Sequence, residues 1–314
     1  MEWQLISAAT IGSHHRDELM PRNGQDAFFY SYDPETGNGL AVVADGCGSS
    51  EYSEVGAHLG VRLLADVWDR TGRKTPGYHR FSWGHISPRS DEFLAVLISP
   101  LVEKLRVALL PLGDINTPDR LRDAVKHYGT FTLNGVVWNH DAMVFFCIGD
   151  GVTVINGKAD MIEPPERDDP ELTNAPQYLG YTVLDPTIPV DLRYYRVHST
   201  ASIQSFVIAS DGFGPLLDAA DTLLPGQRRT FGAISQFWTE DKYFQSAERN
   251  GEEHPPVRAQ LLLNLAARVM KKTKRGPDGP LPDIETFPGL LDDDTTFIVG
   301  RRRPDPTQPD TKES

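Results

Sequence analysis

Apolar positions along the chain follow two rhythms. Short continuous or alternating runs, bounded by Gly, Pro, Asn and Asp, predict strands over 3–9, 26–32 and 40–44. A helical period follows over 51–69, where Val55, Leu59, Leu63 and Val67 recur at steps of four with Leu64 and Trp68 beside them. Residues 73–91 have no period and read as an inserted loop. A second helical face carries Leu94, Ile98, Leu101, Leu105 and Leu109, and Pro100 inside it predicts a kink or a break into two helices.

The middle of the chain is rich in strands, at 129–138, 142–148 and 152–155, separated by the short turns NHD and GDG. Turns this short join antiparallel neighbours, because a parallel crossover needs about a dozen residues or more. Residues 158–190 are acidic and hold six prolines in 33 residues, which predicts a long surface loop or flap. Strands resume at 191–197 and 205–209. Short helical stretches near 213–219 and 230–238, a polar loop over 242–256 and an amphipathic helix over 257–271 follow. A Pro/Gly-rich connection over 274–283 leads to a last strand at 295–300. The three arginines from Arg301 to Arg303 read as a solvated strand end, and 303–314 as a disordered polar tail.

Several strands are apolar on both faces, so both faces must be covered. Two stacked antiparallel sheets flanked by amphipathic helices satisfy this, an α+β arrangement of four layers, α-β-β-α. Composition narrows the class. A net charge of −13 argues against a nucleic-acid binder. No window approaches the roughly 18 apolar residues of a membrane span, and the first residues lack a secretory leader, so a cytoplasmic location is expected. The two cysteines, Cys47 and Cys147, lie in or beside apolar runs and fit a reducing compartment. Cys47 reads as a small packing residue.

The chemistry sits where strands end. LAVVADG, VFFCIGDG and FVIASDG each run from apolar residues to an aspartate and a glycine, placing Asp45, Asp150 and Asp211 at strand ends. LLDDDTTFIVG inverts the order, with Asp292, Asp293 and Asp294 leading into the last strand. A single Asp-Gly after a strand is ordinarily a turn. Three of them and a DDD-led strand, converging at one rim, hold more negative charge than a half-buried site tolerates without a cation. Oxygen ligands without clustered His or Cys favour Mg²⁺ or Mn²⁺. Two such ions about 4 Å apart clamp a phosphoryl oxygen and activate a water for hydrolysis of a phosphate ester.

The ordered set QDAFF, VVADGCGSS, GTFTL, FFCIGDG, VIASDG and DDDTTFIV resembles the type-2C metal-dependent protein serine/threonine phosphatases, closest to their bacterial branch. The resemblance runs from about residue 5 to 301 and implies one phosphatase domain over 1–302 with a flap-like loop near 158–190. It implies a dinuclear Mn²⁺/Mg²⁺ centre in which Asp45 bridges both ions and the Gly46 carbonyl binds one. Asp211 and Asp293 would hold the other, with Asp294 beside them and a one-residue slip left open. Asp150 matches the acid of a weaker third ion in many bacterial members, and Asp26 the second acid of the family's Glu-Asp pair, acting through water.

Two positions depart from the family pattern. Gln25 stands where the family has Glu, and Pro21 where it has its phosphate-binding arginine; Arg22, Arg16, His14 or His15 are the candidates to replace it. His14 and His15 read as a general acid for the leaving group, a phosphate contact or a solvated loop pair. The function implied is hydrolysis of phosphoserine and phosphothreonine on proteins, with a cognate kinase as the opposing partner. A non-catalytic metal-binding sensor and a hydrolase of small phosphates are the alternatives.

Overall fold

In a computed structural model the described residues are 2–13, 15, 23–72, 90–163, 178–249, 252–274 and 283–303. His14, Arg16, Pro21, Arg22, the 73–89 part of the expected loop and the tail beyond Arg303 lie outside them. The first elements in chain order are β1 (Trp3–Thr10), β2 (Ala27–Tyr32), β3 (Gly39–Ala44), α1 (Ser53–Gly72), α2 (Ser90–Phe93), α3 (Ser99–Leu109) and α4 (Arg120–Tyr128). Then come β4 (Leu133–Trp138), β5 (Ala142–Ile148), β6 (Gly151–Ile155), β7 (Lys158–Ile162), α5 (Leu179–Leu184), β8 (Leu192–Ser199) and β9 (Ser205–Ala209). The last are α6 (Gln236–Thr239), β10 (Ala247–Arg249), β11 (Glu252–His254), α7 (Arg258–Ala266), β12 (Met270–Lys274), β13 (Asp283–Phe287) and β14 (Thr295–Arg302).

Two five-stranded antiparallel sheets result, one in the order β1-β14-β9-β6-β7 and the other β2-β3-β4-β5-β8. Their inner faces meet in an apolar layer that includes Trp3, Trp138, Phe145, Phe206 and Ile298. The Trp3 and Phe206 rings pack with centroids 5.4 Å apart, and Trp138 meets Phe206 at 5.6 Å. Helices α1, α3, α4 and α5 cover the outer face of the second sheet, while α7 and a 3₁₀ segment, Asp211–Asp218, cover that of the first. Each fully buried apolar side chain of this size contributes about 1.5–3 kcal/mol. The fold is the four-layer sandwich expected from the sequence.

Local differences have physical causes. In α1 the buried stripe is Ala57, Val61, Leu64, Val67 and Trp68, whereas Val55 is exposed at the helix start. Pro100 does not break the helix: a π turn over Leu94–Ile98 runs directly into α3, with the Ser99 amide bonded to the Leu94 carbonyl, five residues back. A proline has no amide for the regular ladder, and widening by one residue absorbs the loss. The expected loop over 158–190 is corrected in part, because Lys158–Ile162 pairs with β6 and Leu179–Leu184 is helical; 164–177 lie outside the described residues. The expected polar loop over 242–256 contains the β10–β11 hairpin, and the helix expected over 257–271 ends at Ala266, before β12. Arg301 is buried rather than solvated, its guanidinium 2.7 Å from Asp241 and stacked 3.9 Å from the Phe244 ring centroid. Among the described residues no helix is long and apolar enough to cross a membrane.

One polar side chain crosses the apolar layer. Asn134 on β4 is 2% exposed and donates to the Val152 carbonyl at 2.8 Å and the Ala209 carbonyl at 3.0 Å, both on the opposite sheet. Its own carbonyl accepts from the Thr153 hydroxyl at 3.1 Å. A buried polar group is tolerated when its hydrogen bonds are made, and costs more than its net worth when one partner is removed. Asn134→Ala is therefore expected to lower unfolding free energy by about 1–3 kcal/mol in urea titration; an unchanged midpoint would show that the clamp is dispensable.

Candidate metal centre

Strand register delivers the acids to one rim. Ala27 pairs with Ala44, so Asp26 and Asp45, one residue beyond each, leave the second sheet side by side. In the first sheet Ala209 pairs with Phe297 on one side and with Val152 on the other. Asp211, the acids before β14 and Asp150 before β6 consequently leave at the same edge. A cavity of about 210 Å³ opens there, lined by Asp45, Gly46, Asp150, Asp211, Asp293 and His15, with Gln25, Cys47, Thr132 and Tyr178 also in its wall.

Each acid is held by local backbone chemistry. The Thr132 amide donates to the Asp45 carbonyl at 2.8 Å and the Cys47 amide to the Thr130 carbonyl at 2.9 Å. Both bonds bypass the Gly46 carbonyl, which leaves it available to the cavity. Asp150 rides a tight turn whose flanking glycines have positive φ, 91° at Gly149 and 148° at Gly151, values other residues rarely adopt. The Cys147 thiol donates to the Asp150 carbonyl at 3.3 Å beneath this turn. Asp294 is 2% exposed and does not line the cavity; its two oxygens accept the Gly12 amide at 2.9 Å and the Gln25 amide at 2.6 Å. A side chain on Gly12 would collide with the Asp293 backbone at 2.2 Å, so this close approach requires glycine. Asp293, its side chain 57% exposed, is the member of the run that faces the opening.

The carboxyl of Asp45 lies against those of both Asp26 and Asp211. Burial and these two neighbours raise its pKa well above the carboxylate range. Asp26 accepts the Ser210 hydroxyl at 2.8 Å, while its other oxygen is enclosed without a donor; burial and Asp294 lift its pKa from 3.8 to about 7. Asp150 is likewise raised to about 7, by burial first and Asp211 second, and Asp293 is raised by burial and by the charge of Asp211. Asp26, Asp45, Asp150 and Asp293 are thus pushed toward the protonated form unless a cation takes the proton's place. Their oxygens, with the unpartnered oxygens of Asp26 and Gln25, make an all-oxygen donor set that fits hard divalent ions. A second geometric candidate is mixed: a His15 ring nitrogen and oxygens of Asp293 and Asp294 lie within 4.8 Å of one another. There, both Asp294 oxygens already accept backbone amides, and His15 Nδ1, 3.0 Å from Asp294 Oδ1, lacks hydrogen-bond geometry to it.

Sequence reasoning missed two contributors, Ser210 and Tyr178, and the hydrogen-bonding role of a third, Gln25. Ser210 anchors Asp26, and its own placement comes from the backbone of Thr296, whose amide it accepts at 3.0 Å. Tyr178 joins the wall from the stretch read as a loop. Gln25 is a donor: its amide bonds the Ser53 hydroxyl at 2.8 Å and the Cys47 carbonyl at 3.3 Å, while Ser53 donates to that carbonyl at 2.9 Å. Only an Asp-Gly count and a hydroxyl beside Asp211 hinted at these contacts.

The family model of protein phosphatase 2C matches residues 11–261, and the chain belongs to that family. Members of the family depend on Mn²⁺ or Mg²⁺ and act on phosphoserine and phosphothreonine proteins. Among solved structures, serine/threonine phosphatase Stp1 from Staphylococcus aureus is similar at 12% identity and a TM-score of 0.50, over 97% of this chain and 96% of that one. A bacterial serine phosphatase is similar at 15% identity and a TM-score of 0.50, over 97% and 99%. At such identities the likeness is one of fold. No curated protein matches the chain in sequence.

Two outcomes follow from the electrostatics. Between about pH 4 and pH 7 the folded protein keeps protons on Asp26 and Asp150 that the unfolded chain has released. Unfolding then releases protons, so rising pH favours it. In EDTA the melting temperature is expected to fall from about pH 5 to about pH 8, and saturating Mn²⁺ to remove that fall; a rise in EDTA would contradict the coupling. Gln25→Glu removes both amide donations and sets a carboxylate against the Cys47 carbonyl. It is expected to cost about 1–3 kcal/mol in EDTA, read by urea titration, and less in Mn²⁺.

Proposed function

We propose that the chain is a metal-dependent phosphatase of phosphoserine and phosphothreonine proteins, acting at the rim cavity with Mn²⁺ or Mg²⁺, and that 1–302 form its one catalytic domain. The observation that carries this reading is the contact of the Asp45 carboxyl with both Asp26 and Asp211, in a cavity that Asp150 and Asp293 share. Asp45, the Gly46 carbonyl, Asp211 and Asp293 would hold two ions, and Asp150 a weaker third. When bound, the ions supply charge stabilisation of the phosphoryl oxygens and a lower pKa for the attacking water.

The remaining work falls to side chains of this chain. Asp26, fixed by Ser210 and set against the Asp45 carboxyl, would act through a water at the ions. Asp294 sets the spacing between the end of β1, Gln25 and the last strand through its two amide bonds. His15 is the described imidazole in the wall, in place to contact phosphate or to give a proton to the departing serine or threonine oxygen. His14 and Arg22, assigned the same tasks by resemblance, lie outside the described residues. The free cysteines, Cys47 and Cys147, support a cytoplasmic setting.

The test is hydrolysis of p-nitrophenyl phosphate, then of a phosphopeptide panel. Activity is expected with Mn²⁺, none in EDTA, and a fall of at least about 100-fold in Asp45→Asn. No turnover with any divalent ion would point instead to a metal-binding relative without catalysis. Turnover of metabolites over phosphopeptides would point to a small-phosphate hydrolase.

A further inference from the structure

A second cavity, of about 400 Å³, lies on the outer helical face of the first sheet and shares no lining residue with the metal centre. Its floor is apolar and cross-linked by hydrogen bonds. Phe231, Tyr243 and Leu262 are buried, and the Tyr243 hydroxyl donates to Gln236 at 2.5 Å while the Gln236 amide donates to the Phe231 carbonyl at 2.9 Å. Its rim carries Arg229, Lys242 and Arg258 in a chain whose net charge is −13. Lys242 is ion-paired with Glu240 and sits over the Tyr243 ring. Among the described residues neither Arg229 nor Arg258 has an ion-pair partner; the field of both lowers the Tyr243 pKa, against the larger raising effects of burial and of the Glu240 charge, which together push it up to about 12. Arg258 and Leu261 belong to the first turn of α7, whose N-cap, Val257, supplies no side-chain acceptor to the helix amides. The helix dipole therefore adds to the positive potential at the same mouth.

We infer that this cavity docks an acidic segment of a partner protein, with one apolar side chain of that segment on the Phe231–Tyr243–Leu262 floor and its carboxylates against Arg229 and Arg258. The rim decides between a peptide and a small molecule. Arg229 and Arg258 are exposed, and Leu261 is 57% exposed. A drug-sized ligand buries about 70–90% of its surface in its pocket. An extended segment inserts one side chain and runs on across an open rim. The negative charge of the rest of the molecule repels an acidic segment elsewhere, so this patch also fixes where it lands. The inference stands whether or not the metal centre is catalytic.

The probe is a fluorescein-labelled peptide of Asp and Glu flanking a single leucine, titrated onto the full chain in EDTA and read by fluorescence anisotropy. Saturable binding is expected, with none for the same peptide carrying Lys in place of its acids. The double variant Arg229→Glu, Arg258→Glu should weaken it by about tenfold or more, and Asp45→Asn should leave it unchanged. Both arginines are exposed, and a melting curve by circular dichroism verifies that the double variant folds. Absence of saturable binding, equal affinity in the double variant, loss of binding in Asp45→Asn, or displacement by phenyl phosphate at lower concentration than by unlabelled peptide would each overturn the inference.

Discussion

Mutual repulsion among carboxylates at one rim is the constraint on which the rest of this structure depends. Two unit charges about 4 Å apart repel by about 4 kcal/mol at the effective dielectric typical near a protein surface. The Asp45 carboxyl faces those of Asp26 and Asp211, and Asp150 and Asp293 both feel the charge of Asp211. A fold can keep such a cluster only by holding it rigidly from outside and by offering it protons or cations. The sandwich supplies the rigidity. The acids leave from at or near the ends of paired strands, so their backbone positions are fixed by the ladders.

The supports are polar contacts between layers and between distant parts of the chain. Asn134 ties β4, the neighbour of the strand that ends at Asp45, to the strands that lead to Asp150 and Asp211. Asp294, buried itself, joins the end of β1 and Gln25 to the start of β14 across more than 250 residues of sequence. Gln25 extends this frame to the loop after Asp45 and to the start of α1 through Cys47 and Ser53. The family's acid at that position would add charge to the metal shell; the amide here adds two hydrogen-bond donations to the backbone instead. On the proposed reading, affinity for the ions would then rest more heavily on Asp45, Asp211 and Asp293.

Much of this was legible from local pattern. The strands at 40–44, 142–148 and 205–209 are continuous apolar runs, and continuous runs between short turns admit little besides a doubly covered antiparallel sheet. Asp45, Asp150 and Asp211 were visible because glycine follows each. Other elements were hidden by weak local signals. Helix α4 buries only Ala124 and Val125 among charged neighbours, and β12 follows a helical period so closely that its MKKTK reads as the helix's end. The role of Asp294, the amide donations of Gln25 and the crossing of Asn134 depend on partners far away in sequence, which periodicity does not reveal. The basic cavity was illegible for the same reason: Arg229, Lys242 and Arg258 come together only when α7 packs onto the first sheet.

The most direct test of the central claim is anomalous diffraction at the manganese edge from crystals grown with MnCl₂. The account predicts two ions in the rim cavity with Asp45 between them, and Asp211 and Asp293 among their ligands. A cavity without anomalous density, or a single ion held only by His15, Asp293 and Asp294, would contradict it.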